Sequence, residues 1–338
     1  MKNHAIIPIF IPHLGCPHKC VFCDQKAITS AAAPVSEEEV IRTAETYLST
    51  LQGSGAAIEM SFFGGSFTGI PLQQQKSYLA IARRYKEEGR ISSIHLSTRP
   101  DYIDRRILDN LKEYGTDVIE LGVQSFDPQV LRLSERGHSP QQVWEACRLI
   151  KEYGFTLGIQ LMTGLPGDSY QACMRSAQCT VDIAPAIARI YPTVILKGTP
   201  LAKMYLEGSY QPFSPQETLR TATAMYKLLT EAGIRVIRVG LKASDRINDG
   251  EASDVLGGTF HPAFRQLVEG ELAKEKIEEA LKGCRSLVVR AGTKALGAVI
   301  GHKACNKKYF AEQYPQKSLR FICDSSLEDH AILFEKNL

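Results

Sequence analysis

Short apolar runs rich in Val, Ile and Phe alternate along this chain with longer stretches whose apolar residues recur every three or four positions. The first pattern suits buried parallel strands and the second suits helices laid against them, so their alternation predicts repeated βα units around a parallel sheet. Strands are expected near Ile6 to Phe10, Ala57 to Phe63, Ser93 to Ser97, Asp117 to Gly122, Thr156 to Met162 and Arg189 to Leu196. Helices fit between and after them at Ser36 to Leu51, Gln73 to Glu88, Arg105 to Glu113, Gln141 to Tyr153, Tyr170 to Asp182 and Pro215 to Glu231. Ser36 followed by Glu39 is a capping-box signature at the first of these starts. Six repeats of this kind make an α/β fold, a partial (β/α)6 TIM-like barrel over residues 1–240. Beyond Gly240 the pattern stops, and the polar stretch Lys242 to Thr259 reads as a linker or functional loop. The remainder of 241–338 predicts a small α+β module: a helix at Leu272 to Lys282, a strand at Ser286 to Arg290, a helical stretch from Ala291, and short strands near Leu319 to Cys323 and His330 to Phe334.

In a parallel barrel the chemistry gathers in the loops that follow the C-terminal ends of the strands. Polar and glycine motifs stand there after each of the first five strands. They are the cysteines after the first, Gly64-Gly65-Ser66 after the second, Thr98-Arg99-Pro100 after the third, Gln124-Ser125 after the fourth and Gly164-Leu165-Pro166-Gly167 after the fifth. Singly, each glycine is an ordinary turn residue. Together the motifs mark one functional rim.

Composition narrows the class without changing this picture. With 44% hydrophobic and 23% charged residues the chain is globular, which excludes disorder, collagen and coiled coil. Its apolar runs fall short of the ~18 residues a membrane span needs, and no signal peptide opens the sequence, so a cytoplasmic location and no membrane partner are expected. Net charge is only +3, but residues 281–338 carry ten Lys or Arg against five Asp or Glu. Within that basic tail Gly301-His302-Lys303 and Asn306-Lys307-Lys308 combine glycine, donors and charge, a pattern suited to RNA phosphates, with Lys303, Lys307 and Lys308 as the candidate contacts. A solvated charged surface would read the same way. His261-Pro262 and Phe264-Arg265 either face the barrel mouth or start a packed helix.

Nine cysteines argue against a disulfide framework, and Cys147, Cys173 and Cys179 read as small helix-packing residues. Cys16, Cys20 and Cys23 differ, because they fall within eight residues in the spacing Cys-x3-Cys-x2-Cys. Three thiolates that hold an iron-sulfur cluster leave one iron open for a small molecule. Zinc would need a fourth ligand, for which this neighbourhood offers His13 or His18, and three buried thiols without metal are a third reading.

The loop, with its aromatic before the last cysteine, resembles the signature of radical S-adenosylmethionine (SAM) enzymes. The segments FFGGSFTGIP, LSTRPDYI, IELGVQSFDPQVLRLSERGHS, LMTGLPG and ARIYPTVILKGTPL resemble the radical-SAM half of the Elongator catalytic subunit family over residues 5–215. Oxygen-independent coproporphyrinogen oxidase shares a looser form of the pattern. The resemblance implies a 4Fe-4S cluster on Cys16, Cys20 and Cys23 that reduces SAM to a 5'-deoxyadenosyl radical, with electrons from an external donor such as a ferredoxin or flavodoxin.

The same resemblance assigns Gly64 and Gly65 to the methionyl amine through the backbone, with Ser66 where many members carry an acid. It places Ser97 and Thr98 near the sulfonium or methionyl end, Gln124 at the ribose hydroxyls, Arg136 at the carboxylate and Gln160 at a ribose position. Bidentate geometry favours Arg for the carboxylate. Arg99 with Asp101 reads equally as a local salt bridge.

Elongator-like enzymes join their radical domain to an acetyltransferase. The residues after 215 leave no room for one, so acetyl transfer is not expected. The coproporphyrinogen reading is strained because its relatives carry an extra N-terminal segment. Three readings stay open: modification of transfer or ribosomal RNA, radical chemistry on a small molecule or protein, and a noncatalytic metal-binding RNA protein.

Overall fold

The computed structural model describes residues 4–11, 16, 20–23, 35–244, 246–248, 250 and 253–337. His13 and His18, the candidate fourth ligands for zinc, lie outside them.

Seven parallel strands form the main sheet: β1 (His4–Ile11), β2 (Ala57–Gly64), β3 (Ser93–Thr98), β4 (Val118–Gln124), β5 (Thr156–Thr163), β6 (Ile187–Pro192) and β8 (Arg235–Val239), in that spatial order. Each βα crossover returns the chain beside its previous strand, through helices that begin with α1 (Glu37–Leu51), α2 (Leu72–Glu87) and α3 (Arg105–Glu113). The series continues with α4 (Pro128–Leu133), α5 (Pro140–Glu152) and α6 (Tyr170–Ile183), then α7 (Pro200–Leu206) and α8 (Pro215–Glu231). Ser36 caps α1 by accepting from Glu39 N, and reciprocal capping boxes start α5 at Ser139/Gln142 and α8 at Ser214/Glu217.

Strand alternation sorts the side chains of this sheet into two populations. One face carries Met60, Phe62, Leu96, Ile119, Leu121, Ile159 and Ile190, all fully buried in the core beneath the helices. The other carries Glu59, Ser61, His95, Glu120, Gln160 and Arg189. The sheet is strongly curled: the Arg189 guanidinium of β6 stands 5.4 Å over the Phe63 ring of β2. Strands four places apart in a flat sheet would be ~19 Å from one another. The polar face is therefore the inside of a half-barrel.

The architecture is the expected partial barrel, with two differences in detail. A seventh strand, β8, extends the sheet past the six repeats. The single strand expected at Arg189 to Leu196 is two strands, because Pro192 lacks the N–H that would continue the ladder. Past it, β7 (Val194–Leu196) leaves the sheet and pairs antiparallel with β9 (Val255–Gly258), which lies inside the stretch expected to be linker or loop. Gly258 makes that pairing possible: its φ is +79°, and a Cβ there would sit 2.4 Å from the Thr193 carbonyl oxygen.

Helix α9 (Phe264–Leu281) leads into the C-terminal module, where β10 (Ser286–Ala291) lies parallel to β11 (Ser318–Cys323) and antiparallel to β12 (Ile332–Asn337). Two short helices, α10 (Leu296–Ile300) and α11 (Cys305–Gln313), cover that sheet. Phe264 and Val268 of α9 are buried in the barrel core, whereas Ala273, Ile277 and Leu281 belong to the core of the module. Among the described residues no helix is long and apolar enough to cross a membrane.

Candidate active site

The cysteine loop is held from two sides. Val21 N donates to the Ser134 carbonyl and Leu201 N donates to the Val21 carbonyl, at 3.2 and 2.8 Å, while Val21 packs with Ile195, Leu201 and Tyr210. The departure of β7 from the sheet builds this shelf. Cys20 is buried, and Cys16 and Cys23 are half-buried. Burial pushes the Cys16 thiol up; a backbone hydrogen bond from Ser66 and the Arg99 charge act in the opposite direction without cancelling it.

Two guanidinium groups face Cys20. Arg136 Nη1 lies 3.1 Å from its sulfur and Arg99 Nη1 lies 4.0 Å away. Arg99 is locked by two 2.9 Å bonds to Asp101 and also donates to the Arg136 carbonyl, so the local salt bridge and the site share one residue. Arg136 donates to the Gly122 carbonyl through Nη2, and its buried Nε has no partner. Gln124 closes this corner with a left-handed φ of 69° after a register slip in β4, and its buried Oε1 is also without a partner. Gly122 lies between them: a Cβ there would meet Gln124 Nε2 at 3.1 Å and Arg136 Nη2 at 3.5 Å.

The remaining expected residues divide by face. Ser97 and Thr98 are neighbours on β3 and point in opposite directions. Thr98 turns outward to a hydroxyl chain with Ser66 at 2.9 Å and Thr68 at 2.5 Å, and Ser66 also accepts from Arg99 N at 3.0 Å. Those hydroxyls brace β2 against β3. Ser97 turns inward, where its Oγ accepts from Gln160 Nε2 at 3.4 Å. Gly65 N is committed to the Ile11 carbonyl at 2.8 Å, and Gly64 is exposed with φ 100°. Lys303, Lys307 and Lys308 lie away from this constellation, exposed on the C-terminal module.

Beneath Gln160 lies a charged network that sequence reasoning missed. Glu120 is fully buried, accepts from Arg189 Nε at 2.7 Å and from Gln160 Nε2, and stands 3.9 Å from His95 Nε2. The other nitrogen of His95 meets Glu59 at 3.0 Å, and Glu59 also accepts from Ser61. Burial alone would lower the Arg189 pKa; the Glu120 carboxylate beside it outweighs burial and raises it. A lone Glu in VIELGV and a lone Arg in IARIYP were the available signals, since a charge inside an apolar strand must find a partner.

Among the described residues no His, Cys, Asp or Glu group of three or more is gathered as a metal site. The donor chemistry nevertheless suits a thiolate-held cluster with an amino-acid ligand: three thiols on one short loop, two cations against Cys20, and an unpartnered donor and acceptor beside them.

Residues 10–178 match the model of the radical SAM superfamily and residues 185–274 match the radical SAM C-terminal domain. A tRNA uridine(34) acetyltransferase of Dehalococcoides mccartyi is 27% identical over 69% of this chain and 58% of its own length. Elongator complex protein 3 of Bos taurus is 24% identical over 67% of this chain and 49% of its own. The chain thus spans roughly half of these relatives. In fold it is similar to the archaeal Methanocaldococcus infernus Elp3 with an N-terminal deletion, at a TM-score of 0.64 and 20% identity, covering 82% of this chain and 64% of that one.

Proposed function

The chain belongs to the radical SAM superfamily, and from that membership we propose that it modifies RNA, with a transfer or ribosomal RNA nucleotide as the target and SAM as the source of the radical. Cys16, Cys20 and Cys23 are the residues that would hold the 4Fe-4S cluster. Bound there, it supplies the electron that splits SAM into methionine and a 5'-deoxyadenosyl radical, drawn from a ferredoxin- or flavodoxin-type donor.

The observation that carries the reading is the corner at Gly122. Arg136 touches Cys20 and keeps one buried N–H unspent, while Gln124 keeps one buried carbonyl oxygen unspent. A ligand with a carboxylate and hydroxyls satisfies both, and a buried polar atom left alone costs ~1–3 kcal/mol. Arg136 takes the carboxylate, Gln124 a ribose hydroxyl, and Gly64 and Gly65 let the backbone come close to the amine. Ser97 and Gln160, braced from below by Glu120, line the inside of the barrel where the target base is received; Thr98 and Ser66 hold the loops that carry the site. A base in a polynucleotide must be turned out to reach this lumen. RNA is favoured by the similarity to a tRNA uridine(34) acetyltransferase and by the exposed Lys303, Lys307 and Lys308, none of which forms an ion pair among the described residues.

Anaerobically reconstituted protein is expected to show one 4Fe-4S cluster by iron, sulfide and electron paramagnetic resonance analysis, and to release 5'-deoxyadenosine when reduced with SAM. Stoichiometric zinc with no iron uptake would overturn the reading. Arg136→Ala should weaken SAM binding ten- to hundredfold, the ~1.5–3 kcal/mol of a charged hydrogen bond. RNA affinity should fall steeply with salt, and changing Lys303, Lys307 and Lys308 to Ala should flatten the slope by up to about three counterions. An RNA affinity too weak to measure at low salt would favour a small-molecule or protein substrate.

A further inference from the structure

The free edge of the sheet at β8 borders a cavity of about 430 Å³ in which Arg238, Lys242 and Arg265 stand among the aliphatic Ile237, Val239 and Leu241. None of the residues lining it is acidic. Its size falls within the ~300–1,000 Å³ typical of small-molecule sites, room for a nucleotide-sized group.

The three cations are not equivalent. Arg265 is already employed: its Nε donates to Glu269 at 2.7 Å and its Nη1 to the Val236 carbonyl at 3.1 Å, which covers the unpaired edge of β8 and offsets its charge. Arg238 and Lys242 form no ion pair among the described residues. Arg238 is moreover register-paired with Arg189, so two like charges share one face of adjacent strands. Such a pair is unfavourable unless each charge is answered. Glu120 answers Arg189; Arg238 has the Tyr191 phenol within its field but no carboxylate partner among the described residues. A half-buried Arg238 and an exposed Lys242 that line one cavity with aliphatic neighbours favour an anion, because low-dielectric walls focus the field of both cations on the same space.

Placement says which anion. In a parallel sheet every strand ends on the same rim, so Leu241 and Lys242, which line the cavity just past the end of β8, belong to the rim that bears the cysteine loop after β1. β1 and β8 are the two edges of the curled sheet, and they flank its open side. We propose that this cavity binds a phosphate group of the substrate, with Arg238 as the bidentate contact and Lys242 as a point charge, so that the attached nucleotide is held at the mouth of the half-barrel. The inference rests on the RNA reading above and adds to it a subsite distinct from the lysines of the module.

The test is titration calorimetry on the full reconstituted chain with uridine, uridine 5'-monophosphate and a uridine-containing RNA hairpin, for wild type, Arg238→Gln, Lys242→Gln and the double variant. Uridine should bind at least tenfold more weakly than its monophosphate, and the double variant should lose ~10- to 100-fold for a phosphate-bearing probe, with a salt slope lower by up to about two. Loss for the monophosphate alone assigns the site to a free nucleotide phosphate, and loss for the hairpin alone assigns it to the RNA backbone. The proposal is overturned if uridine binds as tightly as its monophosphate, if the double variant keeps wild-type affinity for both phosphate probes, or if wild type binds neither. Lys242 is exposed, so Lys242→Gln keeps the test decisive should Arg238→Gln impair folding. Release of 5'-deoxyadenosine by wild-type protein is measured in parallel. Its failure removes the radical reading and leaves the phosphate titration standing.

Discussion

The two faces of the main sheet are made by the same strands and obey opposite rules. Outward residues such as Phe62, Leu121 and Ile159 are interchangeable in kind, each contributing buried apolar area against the helices. Inward residues are specific in kind: Glu120 is tolerable only because Arg189, Gln160 and His95 surround it. Stability is thus carried by one face, which leaves the other free to hold polar groups that a packed barrel lumen would exclude.

Matched substitutions at equal depth break the comparison most sharply. Phe62→Ala and Glu120→Gln are each expected to cost ~3–5 kcal/mol, the first by leaving a cavity and the second by stranding the Arg189 charge. Denaturant titration should then separate them. Glu120→Leu combined with Arg189→Leu should recover most of the loss, whereas no single partner change rescues Phe62→Ala. If the double variant is no better than Glu120→Gln, the inward face is held by more than that pair.

A smaller effect is expected at Gly158, where a Cβ would stand 2.8 Å from Glu120 Cγ and 2.9 Å from Ile187 Cγ1. Gly158→Ala should cost ~1–3 kcal/mol by overpacking, read as a lower thermal midpoint. The smallest effect is a pH dependence confined to the inward face. Burial raises the Glu59 pKa, but the His95 hydrogen bond and charge together with Ser61 outweigh it, and the net shift is downward from 4.5. A depressed carboxyl contributes stability that is present above its unfolded pKa and is lost as pH falls through its folded value. The thermal midpoint should therefore drop below about pH 4.5, and His95→Gln should shrink that drop. An unchanged acid limb in His95→Gln would refute the assigned coupling.

The same two faces explain what was legible in the sequence. The strands up to β6 were visible because their outward residues are mostly apolar, and the cysteine spacing marked the candidate site. β8 was missed because Arg235 and Arg238 interrupt a run of only three apolar residues, and β9 because four residues ending in Gly257-Gly258 carry little strand signal. The pairing of Glu120 with Arg189 joins residues 69 positions apart across the intervening strand β5, a relation that only the folded sheet creates. Motif resemblance assigns Ser97 and Thr98 one shared role, although alternation sends one inward to Gln160 and the other outward to Ser66.

Helix α9 sets a limit on how this molecule can be taken apart. Its 18 residues form a rod of ~27 Å, with Phe264 and Val268 seated in one core and Ala273 to Leu281 in the other. The C-terminal module is therefore not a detachable cassette. A cut at residue 240 would pull Phe264 and Val268 out of the larger unit, whereas a graft made behind Gly270 would carry a whole core across with it. Any rearrangement of this module among related barrels must keep the first turns of α9 with the barrel and replace the rod from its middle onward.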